Sequence, residues 1–410
     1  MITILCSGSR GDIQPYICLA VELQKLGKDV RIAAGNSFAS FIKSYGVKHY
    51  PLSLDYKTVG LDPKIMESAQ NSTNPLKMLL TFNKMKKYAR FMVDEMYEAC
   101  RSSELIVWHP GCTIGYFAAL EMGIPSVLAA PFPLHETKEV ASVIAYGKTK
   151  LPFKTTYKLL QGMLWMASKS GVAAYYREKK GSLPPNFGCP FERVDSRHPA
   201  IVSCSNFVFK RPGDWNSNIH QYGFWFIGEE TDYTPPAELA DFLLNGKKPV
   251  YFGFGSVFNE NDIDKFLEII IASLAATGER GIVSGMGIPK NLPENIFAID
   301  DIPHKWLFPR CGAVCHHGGA GTSAAGFASG VPNIIIPFSN DQFAWAHRAY
   351  DIGVGAKPIY KKQLSSESLT AAIRFALSDK IKTNAVILGR NMASENGAKN
   401  CALVIAEILR

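Results

Sequence analysis

At 410 residues, 47% hydrophobic and 20% charged, the chain has core material for two ordinary α/β domains, which excludes extensive disorder. Its net charge of +8 is moderate; it suits anionic nucleotides or an anionic membrane face and calls for no nucleic-acid partner. Nine cysteines are scattered without a CxxC pair, the usage of reduced, buried thiols rather than of a disulfide framework.

The opening stretch "MITILCSGSRGD" has neither a basic n-region nor a cleavage-site pattern, and no run in the chain reaches the ~18 apolar residues of a membrane span. It reads as a first buried strand, and the expected location is the cytoplasm. A helix follows from Ile13 to Leu26 with a stop at Gly27, then the strand "DVRIAA" and a helix ending near Gly46. Such alternation is the mark of βαβ units and a parallel sheet.

Two segments break this rhythm. Asn74 to Cys100 and Tyr146 to Lys180 are helical in pattern, rich in Met, Tyr and Phe, and studded with lysine. A basic amphipathic helix can lie on an anionic membrane, and Met-rich walls suit greasy ligands of loose shape; a solvated helix face over core accounts for the same pattern. Peripheral contact with the inner face of the membrane is therefore an expectation, with Lys84, Lys86 and Lys87 as its first candidates.

From Gly228 to Lys247 the chain carries acidic, Pro and Gly residues and one short helix, a connector in composition. A second α/β cycle starts at "KPVYFGFGS" and runs through a helix from about Asp262 to Thr277, "RGIVSG", "NIFAID", "CGAVCHH" and "PNIIIPF". The expected divisions are residues 1–227, a linker over 228–247, a second domain over 248–383, and a C-terminal helix over 384–410.

The sharpest chemistry lies in "CHHGGAGTSAAGFASGVP". A buried strand, a glycine turn and a helix N-terminus together present free backbone N–H groups and a positive dipole end, a site for phosphate. His317, at the strand end, can add a charge-assisted donor and Thr322 a hydroxyl, while His316 is expected to face the core or the other wall. The spacing fits neither a P-loop nor a GxGxxG fingerprint. A metal site from Cys311, Cys315, His316 and His317 would put its ligands on alternate strand faces, with no second cluster to complete the set; no metal is expected. Ser256, flanked by glycine after the second domain's first strand, sits where ligands of open α/β sheets bind. Asp12, between the first strand and the first helix, faces the equivalent crevice of the first domain, where a general base or a helix cap would stand.

"HHGGAGT", "GVPNIIIPF" and the closing "DQ" resemble the donor-binding signature of family 1 glycosyltransferases of the GT-B fold. "FKRPGDWNSNIHQYGFWF", "PPAELADFLLNGKKPVYFGFGSV" and "DDIPHKWLFPRCGAVCHHGGAGT" are similar to the sterol 3-beta-glucosyltransferases and to the bacterial glycopeptide and macrolide enzymes. The likeness is dense over Phe207 to Ala346 and diffuse between Asp55 and Pro199. It implies an α/β architecture of two Rossmann-like, doubly wound parallel-sheet domains facing a central cleft, with acceptor-binding first and nucleotide-sugar-binding second. It places Ser256, His317, Gly319, Gly321 and Thr322 at the diphosphate and Asp341 and Gln342 at the sugar hydroxyls. The plant members' uracil-stacking Trp is absent, leaving base recognition to backbone around Ile302 and Pro303, and Ala325 stands where they carry a ribose-gripping glutamate. UDP and dTDP donors are therefore not separated by motif.

For catalysis the resemblance points to Asp12 in "GDIQP", where plant members carry a histidine, and to His109 in "LIVWHPG", either paired with Asp12 or acting as base itself. Acceptor loops are expected around "FPLHETKE", with Phe132, His135 and Glu136 as candidates, and Met85 from the Met-rich stretch. The expected activity is metal-independent, inverting transfer of a hexose, glucose from UDP-glucose foremost, to a hydroxyl of a lipophilic acceptor such as a sterol, triterpenoid or polyphenol, with no permanently bound cofactor. Rivals are a dTDP-deoxysugar tailoring enzyme, a nucleotide-sugar epimerase and a non-catalytic binder; neither the acceptor's identity nor the oligomeric state is written in the sequence.

Overall fold

The computed structural model describes residues 1–53, 92–147, 149–227, 233–254, 260–285, 292–300, 302–338 and 341–410, the side chains of 260–262 excepted. Ser256, Met85, Lys84, Lys86 and Lys87 lie outside the described residues. The chain divides into two compact units, Met1–Gly228 with Glu395–Arg410, and Glu229–Ser394.

The first unit is built on a seven-stranded sheet in the order β3-β2-β1-β4-β5-β6-β7. Its strands are β1 (Ile2–Leu5), β2 (Val30–Gly35), β3 (Lys48–Leu52), β4 (Leu105–Trp108), β5 (Ser126–Ala130), β6 (Ala200–Ser203) and β7 (Ile219–Gly223). All pair in parallel. Strands β1, β4, β5 and β6 are buried along their whole length, as a sheet covered on both faces requires. The first helix, Arg10–Lys25, starts three residues before the sequence reading placed it. The cause is a reciprocal cap around Ser9: its backbone N–H and its hydroxyl both donate to Asp12 Oδ2, at 2.7 and 2.9 Å. Ile13, Tyr16 and Ile17 of this helix form one core with Ala398, Cys401, Ala402 and Ile405 of the last helix, Gly397–Ile408. Gly397 is obligatory there: a Cβ would stand 2.5 Å from the carbonyl oxygens of Gly223 and Phe224. Of the segment from 74 to 100, residues 92–100 are helical and described; the second irregular segment is the helix Phe153–Lys180.

The second unit carries a five-stranded parallel sheet, β10-β9-β8-β11-β12, from β8 (Val250–Gly253), β9 (Gly281–Ser284), β10 (Ile296–Ile299), β11 (Ala313–His316) and β12 (Asn333–Ile335). The segment read as a connector supplies the short helix Ala237–Leu244. Its Leu239 is fully buried in a core with Tyr251, Ile282, Leu307 and Phe308, so this stretch belongs to the second unit. The helix Asp379–Ala393 also stays in the second unit, and only residues from Glu395 onward return to the first.

Candidate active site

In each sheet the chain order reverses beside the first strand of the unit, and that is where an open parallel sheet leaves a crevice at its carboxyl edge. In the first unit β1 lies between β2 and β4, with Leu5 paired to Trp108. The loops that follow β1 and β4 therefore emerge side by side, one leading to Asp12 in the first turn of the helix Arg10–Lys25 and the other carrying His109. The His109 N–H donates to the Leu5 carbonyl at 2.9 Å, which fixes the start of its loop. Its ring packs edge-on to Tyr16, 5.8 Å between centroids.

The ring's tautomer follows from its neighbours. The backbone N–H of Gly111 donates to His109 Nδ1 at 3.0 Å, so in the neutral ring Nδ1 holds the lone pair and the proton is on Nε2. Burial holds this imidazole below its ordinary range, and the nearby Asp12 carboxylate works against that shift. Around the pair, burial pushes the Cys112 thiol up to about 12 and raises Cys6 and Tyr16 well above their usual values. At neutral pH the two thiols and the phenol are uncharged, and the Asp12 side chain is near enough to act on the His109 imidazole through charge. That arrangement suits Asp12 to accept a proton and His109 to donate a hydrogen bond.

Acceptor-side candidates lie along the loop after β5. Phe132 and Glu136 are half-buried, and Glu136 stands 3.9 Å from Lys158. His135 is 5% exposed, edge-on to Trp215, with no partner for either ring nitrogen. Burial alone brings it down to about 4, so it is neutral. Two more buried oxygens without partners, Tyr157 Oη and Gln161 Oε1, lie on the helix Phe153–Lys180, and Gln161 Nε2 donates to the Leu134 carbonyl next to His135, 3.1 Å. Each such atom costs about 1–3 kcal/mol, so a cluster of them marks a place where a polar group from outside would relieve strain. Tyr157 and Gln161 were not singled out in the sequence, where helical spacing alone does not say which face turns inward.

In the second unit β8 lies between β9 and β11, with Gly253 paired to His316. The glycine turn follows β11 and leads into the helix Ala320–Ala328. His316 is fully buried and acts as the turn's anchor: its Nδ1 accepts the Gly318 N–H at 3.0 Å, and its Nε2 lies 3.0 Å from Asn333 Oδ1. Burial lowers it to about 3, fixing a neutral ring that donates to Asn333. Gly318 takes φ +88°, a left-handed conformation that glycine adopts without strain. Gly319 then caps the helix with no side chain, which leaves the first N–H groups, on Ala320, Gly321 and Thr322, without intrahelical acceptors.

His317 leans over this N-terminus: a Cβ on Gly319 would be 2.5 Å from its Nε2. Its Nδ1 is buried without a partner, as is the hydroxyl of Ser323 in the same helix. Burial, with His304 nearby, brings His317 down to about 4. The donor expected to be charge-assisted is thus neutral before any anion arrives. Gln342 Oε1 accepts the Phe338 N–H at 2.8 Å, and Asp341 Oδ2 accepts the Trp345 indole N–H at 2.9 Å. These bonds hold both side chains of the "DQ" pair in place at the start of the helix Gln342–Asp351. Ile302 is buried in the core that holds Tyr251 and Leu307. Cys311 and Cys315 are buried free thiols, and among the described residues no three His, Cys, Asp or Glu side chains gather as a metal site would need.

The model of the glycosyltransferase family 28 N-terminal domain matches residues 2–138, and that of the erythromycin biosynthesis protein CIII-like C-terminal domain matches residues 268–409. The fold is shared across the full chain with the glycotransferase of kitacinnamycin, TM-score 0.74 at 20% identity over 100% of this chain and 99% of that one. It is shared also with CalG4, the calicheamicin glycosyltransferase, TM-score 0.69 at 18% identity over 100% and 98%. The chain has the GT-B fold of these glycosyltransferases. Within that class it is similar to two sterol 3-beta-glucosyltransferases of Arabidopsis thaliana, 32% and 31% identical over 97% of this chain. One of Sclerotinia sclerotiorum is 32% identical over the same share. The chain spans 66% and 63% of the plant relatives' length and 28% of the fungal one's.

Proposed function

We propose that the protein is an inverting hexosyltransferase that moves glucose from UDP-glucose to a hydroxyl of a lipophilic acceptor, a sterol before a triterpenoid or polyphenol. The observation that carries this reading is the glycine turn after β11, whose helix N-terminus no side chain caps, in a chain about 30% identical to sterol 3-beta-glucosyltransferases over nearly its whole length.

The acceptor hydroxyl gives its proton to the Asp12 carboxylate as its oxygen attacks the anomeric carbon opposite the diphosphate. The bond from that carbon to the diphosphate oxygen breaks, and the electron pair leaves on the diphosphate. The N–H groups of Gly321 and Thr322, the turn at Gly319, Ser256 and the imidazole of His317 receive that charge. Asp341 and Gln342 hold the sugar hydroxyls, and backbone near Ile302 receives the base. His109, which feels the Asp12 charge, assists Asp12. Phe132, His135 and Glu136 line the acceptor's place. No metal ion enters these steps.

A second reading, transfer of a dTDP-deoxysugar to a natural product, draws on the fold shared with SsfS6 of Streptomyces sp. SF2575, solved with thymidine diphosphate. The deciding experiment incubates wild type and Asp12→Ala with UDP-glucose, UDP-galactose or dTDP-glucose and a pool of sterol, triterpenoid and flavonoid, read by mass spectrometry. A hexose mass shift on a sterol with UDP-glucose, lost in the variant, is the expected result. A shift with dTDP-glucose alone transfers the case to the second reading, and UDP binding with no transfer to any acceptor overturns the catalytic claim.

A further inference from the structure

The helix Phe153–Lys180 turns two different faces. Inward it buries Thr156, Tyr157, Leu160, Gln161 and Trp165. Outward, Leu159 and Met166 are 50% and 56% exposed, and Leu151 and Phe153 at the helix start are 49% and 37% exposed. Thr155, Leu159, Gly162, Met166 and Lys169 fall at three- and four-residue spacing, so they form one continuous strip of helix surface. Leu159 and Met166 are the two large apolar side chains of that strip, and Leu151 and Phe153 add exposed apolar surface just before and at the helix start.

The charges around that row have one sign. Lys150, Lys154, Lys158 and Lys169 are exposed along it, and from Ala141 to Tyr176 the sequence contains no Asp or Glu. A face that served only solubility would intersperse both signs. Here Glu136, 3.9 Å from Lys158, is contributed by the loop after β5, and Lys158 remains 65% exposed beside it. Leucine, methionine and phenylalanine between lysines fit a surface that is greasy inside and anionic at its rim. An acidic protein would satisfy the lysines and leave the apolar row in water; a bilayer with anionic headgroups satisfies both.

We propose that the outward strip from Leu151 to Lys169 docks on an anionic lipid bilayer, with the helix lying along the interface. Among the described residues no helix is long and apolar enough to cross a membrane, so the contact is peripheral. The same helix carries Tyr157 and Gln161 on its inner side, next to His135. On the proposed glycosyltransferase reading, an acceptor dissolved in the bilayer would meet the acceptor loop under the helix that touches its source. The docking itself does not rest on that reading.

The test is flotation of the full chain with vesicles of phosphatidylcholine alone and of phosphatidylcholine mixed with phosphatidylserine, without nucleotide or acceptor. Wild type is expected to float with the mixed vesicles and to be released by salt. Each lysine near an anionic surface strengthens binding about fivefold, so replacing Lys150, Lys154, Lys158 and Lys169 together by glutamine should weaken it by more than about a hundredfold. Leu159→Ser with Met166→Ser should weaken it about tenfold or more while leaving the salt dependence. All these side chains are exposed, and parallel melting curves separate lost docking from lost fold; if the lysine variant misfolds, the Leu159 and Met166 pair carries the test. Absence of wild type from both kinds of vesicle, equal binding to both, or full binding by the lysine variant overturns the proposal. Transfer to a detergent-dissolved acceptor is read separately, so failure of the docking and failure of the proposed activity are distinguishable.

Discussion

The two crevices are built by one plan and finished in opposite ways. In both, a loop emerges from the carboxyl end of a central strand next to the point where strand order reverses, a helix begins there, and a histidine sits in or beside it. In the first unit the helix Arg10–Lys25 has a carboxylate of its own at its positive end, Asp12, bonded to Ser9. In the second the helix Ala320–Ala328 begins at a bare glycine, and its leading N–H groups have no side-chain partner. One helix end already holds an anion; the other is shaped to receive one. The same dipole therefore meets different partners: a carboxylate of its own chain in the first unit and, on the proposed reading, an external phosphate in the second.

The largest expected effect tests the first crevice. Asp12→Asn should lower the transfer rate by about 10²–10⁴ while preserving the bonds from Ser9, and Asp12→Ala should add a loss of about 1 kcal/mol in unfolding free energy. Equal activity of the Asn variant and wild type would leave Asp12 as a cap and nothing more. Acid gives the next effect, since His135 and His317 are held to about 4 in the fold against about 6.5 when unfolded. Between those values the unfolded chain binds more protons, so stability is full above pH 6.5 and is lost as pH falls toward 4, by roughly 3 kcal/mol for each ring. Urea unfolding at a series of pH values should show this slope, and His135→Leu should flatten it.

A smaller effect probes the second crevice. Gly319→Ala places a methyl on His317 Nε2 and should weaken UDP binding about tenfold or more, read by calorimetry, with little change in melting. Unaltered affinity would mean that the anion does not approach this turn. The smallest is His109→Gln, expected to slow transfer about tenfold with the donor KM unchanged. A loss as large as that of Asp12→Asn would make the histidine the base and reverse the two roles.

Much of this was legible in the residues. The alternation of short apolar runs and helical patterns announced two parallel sheets, and "CHHGGAGTSAAGFA" announced its own strand, turn and uncapped helix, because both depend on neighbours in sequence. The meeting of Asp12 and His109 did not, since almost the whole of two βαβ units separates them and only the order of strands makes β1 and β4 adjacent. The neutrality of His317 was equally hidden, being a product of burial and of His304. His135 was flagged by its position after a strand, but the lack of any partner for its nitrogens, and the presence of Tyr157 and Gln161 nearby, come from packing between a loop and a helix that no motif describes.

The last helix has a consequence for the order of events on the ribosome. Its Cys401, Ala402 and Ile405 complete the core that begins with Ile2 and Ile13, and its first glycine fits only against the finished end of β7. The unit made first in time is thus the one that closes last. While Glu229–Ser394 is synthesised and gathers its own sheet, the groove along Arg10–Lys25 waits with its apolar side uncovered, a nascent surface that chaperones would have reason to shield.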